Sequence, residues 1–313
     1  MGLTPDPVDE CEYDFNSEGK FLDEDENGYK HVDQDNYERI CAFMTHRIFE
    51  IMQEPPYNLK KVALVASNEY VENIPKDHSF IFVSENFRTA KELVVLIHGT
   101  GAVRAGQWSR RLIINESLDV GSQLPYIKEI QNRGWAVLVM NTNDNKYKEE
   151  GEKIPLDKEL SATAEEHGEN VWEEFVDKKS SAERIAVVAH SYGGVVISAI
   201  LGDLPEEYSR LKAICLTDAI FRESRLKNLE NPPKVCNWVA SALPLGKPEE
   251  EGSELHAWRV SAGTEEHERS SANAMPQIFD FIEKCFADKP PEKVEDMFCD
   301  LEEVQSELLE EEL

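Results

Sequence analysis

Arg184-Ile185-Ala186-Val187-Val188-Ala189-His190-Ser191-Tyr192-Gly193-Gly194-Val195-Val196-Ile197 is the stretch that decides the fold of this 313-residue chain. Its first half is apolar at consecutive rather than alternate positions, so both faces of the strand it predicts must be covered. Its second half opens a helix with two glycines and stays apolar through Val195, Val196 and Ile197. A serine stands at the junction. Small-His-Ser-Tyr-small between a buried strand and a helix is the G-x-S-x-G pattern of a nucleophile elbow, with Ala189 in the first glycine position. The flanking positions must be small because the turn is sharp and the helix packs close to the strand. That turn pushes the Ser191 hydroxyl out above the sheet, at a helix N-terminus that favours developing negative charge.

The strand-then-loop pattern repeats on both sides. Leu93-Val94-Val95-Leu96-Ile97 ends in His98-Gly99-Thr100-Gly101, and Trp135-Ala136-Val137-Leu138-Val139-Met140 ends in Asn141-Thr142-Asn143. Leu211-Lys212-Ala213-Ile214-Cys215-Leu216 ends in Thr217-Asp218, and Trp258-Arg259-Val260-Ser261-Ala262 runs into the loop 263–267. Two short strands, Lys61-Val62-Ala63-Leu64-Val65 and Phe80-Ile81-Phe82-Val83, form an antiparallel lead-in. Apolar spacing predicts helices over 37–52, 124–133, 162–179, 193–201 and 275–286. The expected fold is α/β, of the α/β-hydrolase-like kind, with a mostly parallel sheet and helices on both faces. Sites in such folds collect beyond the carboxyl ends of the strands.

A serine nucleophile needs a base, and the base needs an orienting carboxylate. In this kind of fold the chain order is Ser, acid, His. Only His256 and His267 follow Ser191. His256 precedes the last strand, at the wrong end of the sheet, so His267 is the expected base. Asp218, directly after the strand that follows the elbow helix, is the expected acid. Glu265 and Glu266 compete, but adjacency to His267 makes a productive hydrogen bond less natural. The oxyanion hole is expected from the Tyr192 amide and from the early loop through Thr100 or Gly101. His98, Gly99, Arg104, Trp108 and His190 are expected to contact substrate. Arg104, Arg110 and Arg111 stand out in an acidic chain, suited either to a substrate carboxylate or phosphate or to ion pairs with Glu116 and Asp119. His46, His78 and His167 have no partners at metal spacing and read as structural. No cofactor and no metal are expected.

The chain carries 33 Lys+Arg against 62 Asp+Glu, a formal charge of −29. Residues 1–35 and 288–313 hold 19 of those negative charges (12 − 2 = 10 and 11 − 2 = 9). Both ends are therefore expected to be acidic segments, the first partly disordered, flanking a domain over 36–287 with a polar, exposed insertion at 144–161. This charge opposes direct, non-specific nucleic-acid binding, which requires a basic surface. No apolar run approaches the roughly 20 residues of a membrane span. The first residues lack the basic and apolar regions of a secretory signal, and Asp6 breaks the myristoylation pattern. The C-terminal Glu-Glu-Glu-Leu reads as an acidic tail. Six cysteines include no CxxC spacing, so reduced thiols are expected, Cys215 in the core.

Several segments carry a family resemblance. They are the run from Leu96 to Trp108, Arg111-Leu112-Ile113-Ile114-Asn115-Glu116, Ala189 to Gly194, Leu216-Thr217-Asp218, and Val260-Ser261-Ala262-Gly263-Thr264. In order, they resemble the argonaute-binding-protein-two (Arb-two) domain family, in particular its animal cotranscriptional-regulator branch, over roughly residues 10–285. The resemblance implies an α/β-hydrolase fold with Ser191 as nucleophile. It implies work in gene regulation, with an argonaute protein, a chromatin-remodelling factor and alternative splicing, in nucleus and cytoplasm. It supplies no substrate. Two functions follow: hydrolysis of an ester, thioester or amide of an unknown small acyl substrate, or a catalytically silent scaffold for protein–protein interactions.

Overall fold

The apolar runs become one eight-stranded sheet in a computed structural model that describes residues 6–8, 10–64, 78–145, 147–149, 152–154, 161–249 and 257–290. Its strands, numbered along the chain, are β1 (Lys60–Ala63), β2 (Phe80–Val83), β3 (Glu92–Ile97), β4 (Ala136–Val139), β5 (Arg184–His190), β6 (Leu211–Thr217), β7 (Lys234–Val239) and β8 (Ala257–Ser261). They lie in the order 1-2-4-3-5-6-7-8. β2 runs antiparallel to both neighbours, and every pair from β4 across to β8 is parallel. The chain order reverses around β3, so the loops after β3, β4 and β5 meet at one point of the carboxyl edge, where such sheets bind ligands.

The helices are α1 (Gln34–Gln53), α2 (Arg110–Asn115), α3 (Leu118–Gly121), α4 (Leu124–Asn132), α5 (Ala164–Val171), α6 (Gly193–Asp203) and α7 (Ser270–Phe286). Strand periodicity sorts them. Val94 and Leu96 of β3, with Ala186 and Val188 of β5, pack into a core with α1, α4 and α7. Leu93, Val95 and Ile97, with Ile185, Val187 and Ala189, pack into a second core with α5 and α6. Side chains alternate across a strand, so each buried strand feeds both layers, and this is why the runs are apolar throughout. Asp33 caps α1 by accepting from the Asn36 amide (2.8 Å), and Thr163 caps α5 by accepting from Glu166 (3.1 Å).

Several features depart from the sequence reading. β7 was not expected; its run is interrupted by Asn237, whose side chain donates to the Ala219 carbonyl at 2.9 Å and accepts from the Ala219 amide at 3.3 Å. The helix expected over 162–179 is α5 followed by a π-helical turn, Trp172–Asp177. α7 begins at Ser270, before the expected 275, because Ser270 and Ser271 are buried yet carry no apolar signal.

The acidic N-terminal segment is not wholly solvated. Tyr13–Phe15 and Phe21–Asp23 form an antiparallel hairpin. Phe21 is buried in the core, and the Gly19 carbonyl accepts from the Leu118 amide at 2.8 Å. The insertion expected to be exposed over 144–161 has buried residues at both its ends, Asp144, Asn145 and Ser161. Inside it, Tyr147–Glu149 pairs with Glu152–Ile154. Val65, His256 and the tail beyond residue 290 lie outside the described residues.

One edge of the sheet is partly covered by the chain itself. Along β8, the Gly246 amide donates to Ser261 (2.8 Å), the Ser261 amide to Lys247 (2.8 Å) and the Glu249 amide to Arg259 (3.0 Å). At the other edge, β1 is four residues long and begins with two lysines. No helix among the described residues is long and apolar enough to cross a membrane.

Candidate active site

The elbow forms where the small residues allow it. Ser191, at the end of β5, has φ +53°, a left-handed conformation rare for a non-glycine residue. A Cβ on Gly193 would lie 2.7 Å from the Ile97 carbonyl oxygen, and one on Gly194 would lie 2.4 Å from that of Ile220. Both approaches are closer than carbon and oxygen tolerate, so neither position admits a side chain without backbone movement. Ala189 is fully buried and contributes its methyl to the second core. The Ser191 amide donates to the Thr217 carbonyl at 3.1 Å, which ties the elbow to the end of β6.

One residue beyond that tie stands Asp218. It too is left-handed, at φ +44°, and its amide donates to Trp238 at 2.8 Å. Its carboxylate accepts a hydrogen bond from His267 Nδ1 at 2.6 Å. That bond, with the Ala240 amide, holds the Asp218 carboxyl below the usual carboxylate range, against the opposing effect of partial burial. The same bond raises the His267 imidazole above its ordinary value. Asp218, rather than Glu265 or Glu266, is the carboxylate on His267. Glu266 instead receives Arg111 at 2.9 Å, and Arg111 also pairs with Glu268. Arg269 pairs with Glu116 at 2.5 Å. These ion pairs tie the loop after β8 to α2.

The His267 ring packs at a 35° tilt against that of His190, with centroids 4.7 Å apart, which brings His267 beside the residue preceding Ser191. The Ser191 hydroxyl makes no hydrogen bond among the described residues. With Nδ1 donating to Asp218, the lone pair of neutral His267 is on Nε2, the tautomer a general base requires. The loop is fixed from behind. Ser270 Oγ donates to the His267 carbonyl (2.8 Å), and Ser271 Oγ meets Thr217 Oγ1 at 2.7 Å.

The early loop reaches the same point. A Cβ on Gly99 would lie 3.0 Å from Ser191 Cβ, so that glycine abuts the serine. The Tyr192 amide makes no hydrogen bond among the described residues, consistent with its place at the start of α6. The Tyr192 phenol donates to Glu165 at 2.6 Å.

Four expected substrate contacts are corrected. His98, Arg104, Trp108 and His190 are each at most 3% exposed, so they build the floor of the site rather than its mouth. Burial pushes His98 down to about 4 and Arg104 down to about 10. His190 also falls to about 4, through burial and then the neighbouring His267, and its Nδ1 donates to the Thr217 carbonyl at 2.9 Å. The Arg104 guanidinium donates to the carbonyls of Ala102 (3.2 Å) and Val103 (2.9 Å). Arg110 is also drawn into the interior, where burial lowers it beside Cys41 and Tyr37. Among the described residues, Asp119 takes no part in the ion pairs of Arg111, which go to Glu266 and Glu268 in the loop after β8.

His167 is structural. Its Nε2 accepts from the Asn141 amide at 3.2 Å and Nδ1 meets Ser161 Oγ at 3.0 Å, in a site whose burial pushes the imidazole down to about 3. The sequence reading missed Asn143. It is 1% exposed, and Nδ2 donates to the carbonyls of Gly99 (2.9 Å) and Val103 (3.1 Å). Its signal was its place at a strand's carboxyl end.

The chain matches the Arb2 domain over residues 6–244. That stretch includes Ser191 and Asp218 and ends before β8 and His267. The chain is 38% identical over 279 residues to a FAM172 family protein homolog of Caenorhabditis elegans, covering 87% of this chain and 85% of that one. It is 32% identical over 340 residues to the cotranscriptional regulator ARB2A of Homo sapiens, covering 89% and 80%. Among solved structures, it is similar to a histone deacetylase from Saccharomyces cerevisiae, with TM-score 0.47 and 11% identity, over 82% of this chain and 100% of that one.

Proposed function

We propose a function from one premise: the chain belongs to the Arb2 domain family. On that premise it is a gene-regulatory protein on a hydrolase-like scaffold, as the relatives' name of cotranscriptional regulator supports. It retains a serine-hydrolase site for an ester, thioester or amide. The observation that carries the catalytic reading is the 2.6 Å hydrogen bond between Asp218 and His267 Nδ1, formed beside a left-handed Ser191 at the carboxyl edge of the sheet.

In this reading Ser191 Oγ adds to the acyl carbon while its proton passes to His267 Nε2. The oxyanion accepts hydrogen bonds from the Tyr192 amide and from the loop at Thr100 and Gly101. As the tetrahedral adduct collapses, the bond to the leaving group breaks and that group takes the proton from His267. Water, losing a proton to His267, then adds to the acyl-serine, and as this second adduct collapses the bond to Ser191 Oγ breaks, Oγ takes the proton back from His267 and the acid is released. Asp218 holds the imidazole in orientation and stabilises its charged form. These steps use no cofactor or metal.

The domain proposed to carry this chemistry, expected over residues 36–287, also takes in the hairpin at 13–23, which places Phe21 in its core. Its proposed partners are an argonaute protein and a chromatin-remodelling factor, met in nucleus and cytoplasm. The second reading, a catalytically silent scaffold for such complexes, is supported by the relatives' name of cotranscriptional regulator. Labelling by a fluorophosphonate probe separates the two. Wild type should label at Ser191, and Ser191→Ala and His267→Ala should not. A folded wild type that does not label leaves the scaffold, and co-purification with argonaute and chromatin factors then tests the partners.

A further inference from the structure

Asn143 holds the early loop from inside the protein. Its Nδ2 donates to the Gly99 carbonyl at 2.9 Å and to the Val103 carbonyl at 3.1 Å. The Gly99 oxygen also lies 2.8 Å from His98 Nδ1. A carbonyl only accepts, so Nδ1 carries the proton of a neutral imidazole. The 3.4 Å approach of Asn143 Nδ2 to His98 Nδ1 is then two donors sharing one acceptor. His98 and Asn143 are each 1% exposed, so the Gly99 oxygen is turned into the protein and doubly bound there.

The consequence follows from the planar trans peptide. The carbonyl of residue 99 and the amide of residue 100 belong to one peptide unit and point in opposite directions. An oxygen held inward therefore aims the Thr100 N–H outward, from a glycine that abuts Ser191. Resting on the hydrolase reading above, we propose that Thr100 N–H is the early-loop oxyanion donor and that Asn143, with His98, is the positioning pair that aims it. Asn143 acts through the peptide and does not touch the reacting atoms. The group it serves is a developing oxyanion on carbon or phosphorus. The pair also explains why a histidine ends β3 without facing substrate.

The test uses the full chain, a fluorophosphonate probe and amide NMR. Asn143→Leu removes the donor at similar size, and Asn143→Ser keeps one hydroxyl donor in case the leucine variant does not fold. Loss of one oxyanion donor typically costs 10²–10³ in rate, so misaiming it should slow labelling by about 10- to 100-fold. The Thr100 amide resonance should be displaced and the His267 titration unchanged, a combination that general loosening of the fold does not produce. The serine variant should label between wild type and leucine. Labelling at the wild-type rate in both folded variants overturns the proposal. If wild type itself does not label, the hydrolase reading falls, and the Thr100 resonance alone decides the aim of the peptide. Displacement in the variants upholds the positioning, and an unmoved resonance overturns it.

Discussion

Asp218→Asn removes a charge from the His267 contact while preserving its shape. Two effects follow, of different size. The pair is partly exposed, with side-chain accessibilities of 46% for His267 and 26% for Asp218, so solvent screens it. Partly exposed pairs contribute roughly 0.2–1 kcal/mol. At 1.36 kcal/mol per pKa unit, that corresponds to a fall of about half a unit in the His267 value. A shift of that size changes the neutral fraction of His267 by no more than about 3-fold at any pH, so titration alone changes the labelling rate by no more than that. Orientation is the larger effect. The carboxamide of the variant can present its NH2 group to Nδ1, which would move the imidazole proton to Nε2 and leave no lone pair for Ser191. Changes of this kind cost up to about 10⁴ in rate in related chemistry. The expected outcome is therefore a small downward shift of His267 by NMR, with fluorophosphonate labelling at pH 8 slowed at least about 100-fold. Slowing by no more than about 3-fold would refute the role of Asp218 in fixing the tautomer.

Other outcomes follow from the same geometry. His98 and His190 fall to about 4 and His167 to about 3 through burial, whereas each titrates near 6.5 in the unfolded chain. Between pH 6.5 and 4 the unfolded chain binds protons that the folded chain does not. Stability should thus fall as pH drops through that window, by up to about 1.4 kcal/mol per pH unit for each histidine; denaturant titrations at pH 7.5 and 5 measure this, and equal stability at both contradicts it. Gly193→Ala and Gly194→Ala set a methyl against the carbonyls of Ile97 and Ile220, which should cost about 1–3 kcal/mol, lower Tm by roughly 2–4 °C per kcal/mol and abolish labelling. Arg111→Ala breaks half-exposed pairs to Glu266 and Glu268, each worth about 1 kcal/mol or less, so a melting curve should shift by no more than a few degrees.

The central strands were legible because burial on both faces writes an unbroken apolar run, as in 93–97 and 185–189. The elbow was legible because its sharp turn restricts residue size. The Asp218–His267 contact followed from chain order and from which end of a strand each residue occupies. Less visible were elements whose stability comes from partners far along the chain. β7 contains Asn237, which reads as polar until its bonds to Ala219 are known. The hairpin at 13–23 carries Phe21 among acidic neighbours, so composition masks a core residue. His98, Arg104, Trp108 and His190 were misread for a related cause. A side chain near Ser191 looks like a substrate contact in one dimension, and only the packed structure shows it turned inward toward backbone carbonyls and neighbouring rings.

The bonds between residues 246–249 and β8 bear on self-association. A sheet edge with free amides and carbonyls is a template on which a second molecule can add a strand. Here the chain fills part of that template with its own segment. The other edge relies on brevity and on the exposed Lys60, whose charge resists the close approach of an identical edge, while the Lys61 ammonium lies over the Phe80 ring. Opening the 246–249 segment, for example by Glu249→Pro, which deletes one donor, should therefore show itself first as a tendency of the purified protein to form oligomers at high concentration, before any loss of the fold.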